Sequence, residues 1–283
     1  MKSIFKLGSL AAACLFAVSA QAVYVVDDFS TPAGGAFVKD FTNGVDNGVM
    51  LGHDGGMFGG NREVYADAIS GASAGLGQGS SVAVGSGILT FSNDSGGAGV
   101  IGTGIVRWDG GTGSTRADLA ASSFATDGSG TYSIQRDGIA ATNLAALGNA
   151  FEITVTFSDQ GFPFELQAFS STTAYSKLYL DASCVNAGGT GGCFAAPKSF
   201  VFPFAAFTSA PNSASFGGGV SFAGVTALQA IFNVGNPVNA SSSAAVDFSL
   251  RIVRVVPEPA SLALVGGALL ALGAIRRRKT AKQ

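Results

Sequence analysis

The chain has 283 residues and a nearly balanced formal charge of −2. Charged residues make up 12% of it, while it contains 41 Gly and 22 Phe, a composition typical of all-β chains with many turns. Residues 23–256 hold nine Lys and Arg against seventeen Asp and Glu, a net charge of −8, which argues against a nucleic-acid partner.

The first 22 residues have the pattern of a secretory signal peptide. Lys2 and Lys6 precede a short apolar run, and Ala20-Gln21-Ala22 supplies the small residues of a cleavage site. We predict cleavage between Ala22 and Val23, after passage through the Sec export machinery. The working part of the chain then begins at Val23.

A lipoprotein signal is the alternative interpretation of this segment. Ala12-Ala13-Cys14 faintly resembles a lipoprotein box, in which the cysteine would carry lipid. The apolar core ahead of Cys14 would be very short, and the better cleavage site follows it, so the first interpretation is preferred.

Alternating apolar residues predict the β-strands of residues 23–256. In the segment 151–158, Phe151, Ile153, Val155 and Phe157 share one face, as in a half-buried strand. Without a convincing amphipathic helix, the pattern predicts one all-β domain, an antiparallel two-sheet sandwich that is jelly-roll-like. The other predicted strands are 23–29, 63–69, 88–92, 104–108, 131–136, 164–169, 177–180, 200–204, 227–234 and 248–256, and the segments 71–87 and 241–243 are predicted loops.

Two cysteines remain after signal removal, and we predict that Cys184 and Cys193 form a disulfide in an oxidising compartment. The only histidine, His53, is far from them in sequence, so they lack the further ligands of a metal site. Asp109 and Asp127 lie in Gly-rich turns that could help to ligate calcium, although neither matches the helix-loop-helix calcium pattern. No cofactor is otherwise predicted.

Enzymatic motifs are weak in this chain. Residues 97–102 fit a dinucleotide-binding glycine pattern, but a strand rather than a helix is predicted to follow them. His53-Asp54 lacks a recognisable serine nucleophile motif. Glu63, Glu152 and Glu165 are the acids available for glycoside hydrolysis. We predict that the protein is not an enzyme.

Aromatic residues on predicted strands could instead form a platform on which sugars stack. Trp108 is the candidate sugar contact, together with Tyr132, Tyr175 and Tyr179. Packing in the core or at a sheet edge explains the same residues, because aromatic side chains favour strands.

The C-terminal segment, residues 257–283, is the most specific pattern in the chain. Pro257-Glu258-Pro259 stiffens an extended stretch, the backbone form that a peptide-cleaving enzyme requires. Residues 260–275, from Ala260 to Ile275, predict a single transmembrane helix of about 24 Å, barely long enough for a bilayer. The basic cluster stays on the cytoplasmic side and orients everything before it outward; it consists of Arg276, Arg277, Arg278 and Lys279.

The ordered set of Pro-Glu-Pro, short apolar span and basic tail resembles the PEP-CTERM sorting domain. The resemblance covers about the last twenty-five residues, and it implies that an exosortase of a Gram-negative bacterium recognises Pro257, Glu258 and Pro259. The opening Asp27-Asp28-Phe29 and the segment 106–110 look similar to ectodomains that this family carries, a likeness that supports only the sandwich fold.

Together these patterns predict an exported protein, held transiently in the inner membrane and then released to the cell surface or extracellular matrix. The leading hypothesis is a non-enzymatic protein associated with exopolysaccharide in a biofilm. The alternatives are a carbohydrate-binding module with defined sugar specificity and, third, a secreted hydrolase.

Overall fold

The structure is a computed structural model. It describes residues 23–30, 36–41, 47–51, 57–93, 99–110, 136–159, 161–182, 197–233 and 247–257. The strands in these ranges are β1 Tyr24–Asp27, β2 Ala36–Asp40, β3 Asn47–Leu51, β4 Arg62–Ser70, β5 Ser80–Gly85, β6 Ile88–Asn93, β7 Ile101–Trp108, β8 Ala150–Ser158, β9 Phe162–Phe169, β10 Tyr175–Ala182, β11 Lys198–Pro203, β12 Ser213–Phe216, β13 Ala227–Phe232 and β14 Asp247–Val256.

The strands form two antiparallel sheets that face each other across an apolar core. The first sheet has the order β11-β8-β14-β6-β5-β2, and β1 pairs with β14 beside β6. The second has the order β12-β10-β9-β13-β7-β4-β3. Inward side chains of both sheets, such as Phe151, Val255, Leu166 and Leu228, belong to one buried cluster. The predicted all-β, two-sheet antiparallel architecture is confirmed; its jelly-roll variant stays a prediction.

Helices contribute little to the described residues. The 3₁₀ turns are Phe58–Gly60, Ala74–Leu76 and Leu144–Ala146. A single helical turn, α1 Ala206–Ser209, buries Phe207. None of these helices has the length and apolar character that crossing a membrane requires.

Two predictions about individual segments are corrected. The loop predicted over 71–87 contains β5, because Val82 and Val84 alternate into the core within a Gly- and Ser-rich sequence. Phe157 does not join the apolar face of β8 but is 45% exposed. The pairing of β8 with β14 shifts register at this point, and such a shift turns the following side chains to the other face.

Candidate functional site

A row of polar side chains crosses the second sheet on the face that points away from the core. Its members occupy neighbouring positions on five adjacent strands, in the registers that pair β4 with β7, β7 with β13, β13 with β9 and β9 with β10. We call this row the polar ladder; it consists of Glu63, Arg107, Gln229, Gln167 and Lys177. All five side chains are buried.

Hydrogen bonds and ion pairs connect the members of the polar ladder. The guanidinium of Arg107 donates to Gln229, whose amide donates to Gln167 at 3.0 Å. Gln167 in turn donates to Glu165, which lies 3.7 Å from the Lys177 ammonium. Side-chain amides thus connect a cation on β7 to an acid on β9. Such a satisfied network offsets the desolvation of its charges and fixes the register of the strands.

Burial governs the protonation of the groups at the Lys177 end. It raises the pKa of Glu165, while the nearby Lys177 ammonium opposes that rise. Burial also lowers the pKa of Lys177, although the nearby Glu165 carboxylate acts to raise it. The Tyr179 hydroxyl has a raised pKa, first through burial and then through Glu165. Tyr179 therefore stays a neutral phenol.

The three glutamates considered for glycoside hydrolysis do not come together. Glu63 and Glu165 are separated by β7 and β13, so their strands lie about 14 Å apart at the usual strand spacing. Glu165 also leans toward Lys177 on β10, away from Glu63. Glu152 lies on the other sheet. Hydrolysis needs two carboxyl groups about 5–10 Å apart.

Trp108 lies in the core, and this corrects the hypothesis that it contacts sugar. Its indole is 1% exposed, and its Nε1 donates to Asp27 at 2.7 Å. Tyr175 is buried too, stacked between Phe169 and Phe216 with ring centroids 5.1 and 4.5 Å away. Tyr132 lies outside the described residues. Neither Trp108 nor Tyr175 presents a ring face to solvent.

Asp27 accepts four hydrogen bonds inside the sandwich. Two come from the guanidinium of Arg62, one from Trp108 and one from the backbone of Phe29 at 2.8 Å. We call Asp27, Arg62 and Trp108 the aspartate hub. The hub joins β1 of the first sheet to β4 and β7 of the second, and it is at most 1% exposed.

The first sheet, by contrast, carries an open cleft of about 680 Å³ on its outer face. The cleft lies over β8 and β14, between the segment after β1 and the two-residue turn that joins β5 to β6. It is lined by Asp28, Ser30, Ser86, Gly87, Ile88, Thr154, Thr156, Arg251 and Arg254.

Backbone geometry shapes one wall of this cleft. Ser86 and Gly87 both have positive φ, 54° and 78°, as the tight two-residue hairpin turn requires. The amide of Gly87 donates to the carbonyl of Phe29 at 3.2 Å. This bond fixes the turn to the segment that carries Asp28 and Ser30.

Two irregularities in the pairing of β8 with β14 place side chains in the cleft. The register passes from Ser249↔Phe157 to Leu250↔Val155 and then to Ile252↔Thr154. At the first step Thr156 on β8 has no residue opposite it in the register, and at the second step Arg251 on β14 has none. Both residues line the cleft, and bulges of this kind redirect side chains beside binding sites.

Glu152 and Arg254 form a bidentate ion pair at the edge of the cleft, with N···O distances of 3.1 and 2.8 Å. The hydrogen bonds from Arg254 hold the pKa of Glu152 below its ordinary value of 4.5. A lowered pKa in the folded state stabilises the fold above that value and loses its contribution as the pH falls.

We therefore expect Arg254→Gln to flatten the loss of stability below about pH 4.5. The reason is that Glu152 would lose the largest of the interactions that lower its pKa and keep only the hydrogen bond with Ser199. Urea denaturation of both proteins between neutral and acid pH measures the effect. Lys39→Gln, which removes one cation elsewhere in the first sheet, should leave the loss of stability at acid pH unchanged. If the free energy of unfolding fell with pH equally steeply in the Arg254→Gln variant and in the unmodified protein, Arg254 would not be the group that lowers the pKa of Glu152.

Most of the other predicted site residues lie outside the described residues. They are Ala22, His53, Asp54, Asp127, Cys184, Cys193, Glu258, Pro259, the span 260–275 and the basic cluster 276–279, so the disulfide and the transmembrane helix stay predictions. Val23 and Pro257 are described; Val23 precedes β1, and Pro257 directly follows β14. Asp109 is buried, and no group of metal-binding side chains is found in the described ranges.

Sequence reasoning missed both the polar ladder and the cleft. A signal for the cleft exists in β14, where the buried residues Phe248 and Leu250 are followed by Val253 and Val255. The spacing of three between Leu250 and Val253 breaks the period of two and indicates a bulge at Arg251. The ladder has no comparable signal, because its members come from five separate strands.

Comparison with known proteins yields one match to a family model and a distant likeness in fold. The model described as PEP-CTERM protein-sorting motif matches residues 255–279. A search of curated proteins finds no match.

Two solved structures of family 11 carbohydrate-binding modules from Clostridium thermocellum resemble the fold. One, in complex with a beta-1,3-1,4-mixed-linked tetrasaccharide, is 7% identical with a TM-score of 0.35, covering 84% of this chain and 98% of that one. The other, from the cellulosomal cellulase Lic26A-Cel5E, is 8% identical with a TM-score of 0.34, covering 84% and 96%. At these values the likeness supports no statement about ligand.

Proposed function

Because residues 255–279 form a PEP-CTERM protein-sorting motif, we propose that an exosortase processes this exported protein and delivers it to the cell surface or extracellular matrix. Before processing, residues 260–275 hold the chain in the inner membrane of a Gram-negative bacterium. The mature sandwich then associates with exopolysaccharide in a biofilm, without catalysis.

The observation that carries the sorting proposal is the position of the motif relative to the fold. The motif begins at Val255, inside β14. Val255 is fully buried and pairs with Tyr24 on one side and Phe151 on the other. Pro257 is the first residue beyond the strand, so the sorting signal starts where the sheet ends.

This position also limits where the chain can be cut. A cut before Pro257 would fall in β14, which pairs with β8, β6 and β1 and is therefore interior to the first sheet. Its backbone is committed to hydrogen bonds, whereas a protease binds an extended and accessible segment. Processing that leaves the sandwich intact therefore cuts after Pro257 or further along the chain.

We expect the mature protein to begin at Val23 and to end at or beyond Pro257, without Arg276 and the residues after it. Intact mass spectrometry of the surface or matrix fraction measures both ends. Glu258→Ala should leave the full tail attached and the protein in the membrane fraction. Gln283→Ala, which lies beyond the matched motif, should be processed normally. A mature protein that keeps Arg276 in a strain with active exosortase would contradict the proposal.

The separation of Glu63, Glu152 and Glu165 supports a non-enzymatic role, because no two of these three acids lie on neighbouring strands as a hydrolytic pair would require. A second candidate function, a carbohydrate-binding module with defined sugar specificity, is favoured by the open cleft. Its volume of about 680 Å³ falls in the usual range of small-molecule sites. The binding experiment of the next subsection separates specific from general association with polysaccharide.

A further inference from the structure

We propose that the open cleft of the first sheet binds an acidic sugar, a uronate unit of a polysaccharide, and that Arg251 pairs with its carboxylate. This inference rests on the proposed association with polysaccharide and names the site and the chemical class of the ligand. The observations that carry it are the paired bulges, the charges in the cleft and its hydroxyl lining.

The paired bulges are the first observation. A sheet that served only to cover the core would keep regular pairing between β8 and β14, two of its interior strands. Here the register is broken twice within four residues, and the residues left over, Thr156 and Arg251, both reach the cleft. Each break gives up regular ladder pairing, so a requirement for these side chains at this face explains it.

The charges in the cleft are the second observation. Arg254 is committed to Glu152. Arg251 is exposed. Among the described residues, its guanidinium forms no hydrogen bond or ion pair. It therefore offers a planar set of donors that matches a carboxylate in a bidentate arrangement. Because residues 23–256 have a net charge of −8, this exposed cation is a local exception on an acidic domain.

The lining of the cleft selects a sugar rather than a simple anion. Asp28 accepts hydrogen bonds from the amide and hydroxyl of Ser30 through Oδ1. Asp28 lines the cleft, and its carboxylate has further acceptor capacity that suits a sugar hydroxyl. A sulfate carries no hydroxyl donor for this acceptor, whereas a uronate carries several beside its carboxylate.

Hydroxyl and apolar groups complete the surface. Thr154 and Thr156 carry hydroxyl groups that are held in place by Ser199 at 3.0 Å and by Ser249 at 2.7 Å. Ile88, 38% exposed, supplies an apolar contact for the C–H face of a ring. One carboxylate surrounded by hydroxyl groups and an apolar face is the chemistry of a uronic acid.

The test is calorimetric titration of the protein purified in its exported form. The probes are an oligogalacturonate and an uncharged glucan oligosaccharide of the same length. We expect the oligogalacturonate to bind more tightly, and Arg251→Gln to weaken its binding about tenfold or more, the loss of one charge-assisted hydrogen-bonded contact. Arg251→Lys should restore only part of it, because an ammonium cannot bind a carboxylate bidentately.

Lys39→Gln is the matched control, since it removes one cation from the same sheet three strands away from β14. It should change binding less than twofold. Equal losses for Arg251→Gln and Lys39→Gln would overturn the inference, because general electrostatics would then account for binding. If only the neutral glucan bound, the proposed site for an acidic sugar would be wrong, while the proposed association with polysaccharide would still hold. Binding of neither probe, nor of whole exopolysaccharide, would overturn both.

Discussion

Asp27→Ala is expected to lower the free energy of unfolding by about 3–5 kcal/mol, the cost of removing one partner from a buried ion pair. The change leaves the guanidinium of Arg62 inside the protein at 0% exposure without its carboxylate. It also removes the acceptor for the indole N–H of Trp108. Urea denaturation followed by the fluorescence of Trp108, the only tryptophan, measures the loss.

Asp28→Ala is the control for this change, because the two acids are adjacent in sequence but differ in environment. Asp28 is exposed, and the hydrogen bond from Ser30 is the main reason that its pKa is lowered. Its replacement should cost less than about 1 kcal/mol. If the two substitutions destabilised the protein equally, the aspartate hub would not be the contact that holds the sheets together.

The aspartate hub also connects stability to the cleft. Phe29 has a positive φ of 57°, unusual for a residue other than glycine, and its amide is held by Asp27. The ring of Phe29 is buried beneath the Arg62 guanidinium, 5.1 Å from its centroid. These contacts set the direction of the segment that presents Asp28 and Ser30. A hub variant that still folds should therefore also lose affinity for cleft ligands.

The sequence predicts the strands that are rich in large apolar residues and does not predict those that are short or rich in small residues. The segment 151–158 is predicted because large apolar residues recur at alternate positions over most of it, and the segment 248–256 because Phe, Leu, Ile and Val predominate there. β5 and β12 are not predicted, because Gly, Ser and Ala there resemble a loop, and β2 and β3 are not predicted because five residues give too short a pattern. Only their pairing with longer neighbours makes them strands, and pairing is a tertiary property.

The candidate site was less accessible to sequence reasoning than the fold. The two segments that resemble family ectodomains, Asp27-Asp28-Phe29 and 106–110, meet in the aspartate hub, where Asp27 accepts a hydrogen bond from Trp108. In the described structure these residues join the two sheets. The sequence alone does not show whether a tryptophan such as Trp108 is buried in this way or exposed for sugar binding. Arg251 belongs to no motif, and although the irregular spacing in β14 indicates a bulge there, its exposure depends on how β14 pairs with β8.

The two outer faces of the sandwich use charge in opposite ways. On the second sheet, Arg107, Lys177, Glu63 and Glu165 are buried and connected by amides, an arrangement that fixes strand register. On the first sheet, Arg251 is exposed within an open cleft. A charge that is already satisfied inside the protein has little to offer a ligand, whereas an exposed guanidinium does. The cleft is accordingly the better candidate for recognition.

Gly102→Ala is expected to destabilise the protein by about 3 kcal/mol or more, at the upper end of the range for overpacking a core. Gly102 lies in β7 where the two sheets approach closely. An added Cβ would stand 1.6 Å from the Ser80 hydroxyl oxygen and 2.6 Å from the carbonyl oxygen of Asp67. The second contact is with backbone, so rotation of the Ser80 side chain cannot relieve it.

The surroundings of Gly102 make a local adjustment costly as well. Its carbonyl accepts hydrogen bonds from Asn93 at 3.3 Å and Asn233 at 2.8 Å, and Ser80 donates to Asn93 at 2.6 Å. Any shift of β7 that accommodates the methyl group must disturb these buried bonds. Gly75→Ala is the control, because nothing lies within 4 Å of an added Cβ there, and it should be neutral or slightly stabilising. Equal midpoints of urea unfolding for the two variants would mean that the sheets can separate at Gly102 without loss, and that their contact there does not set the stability of the fold.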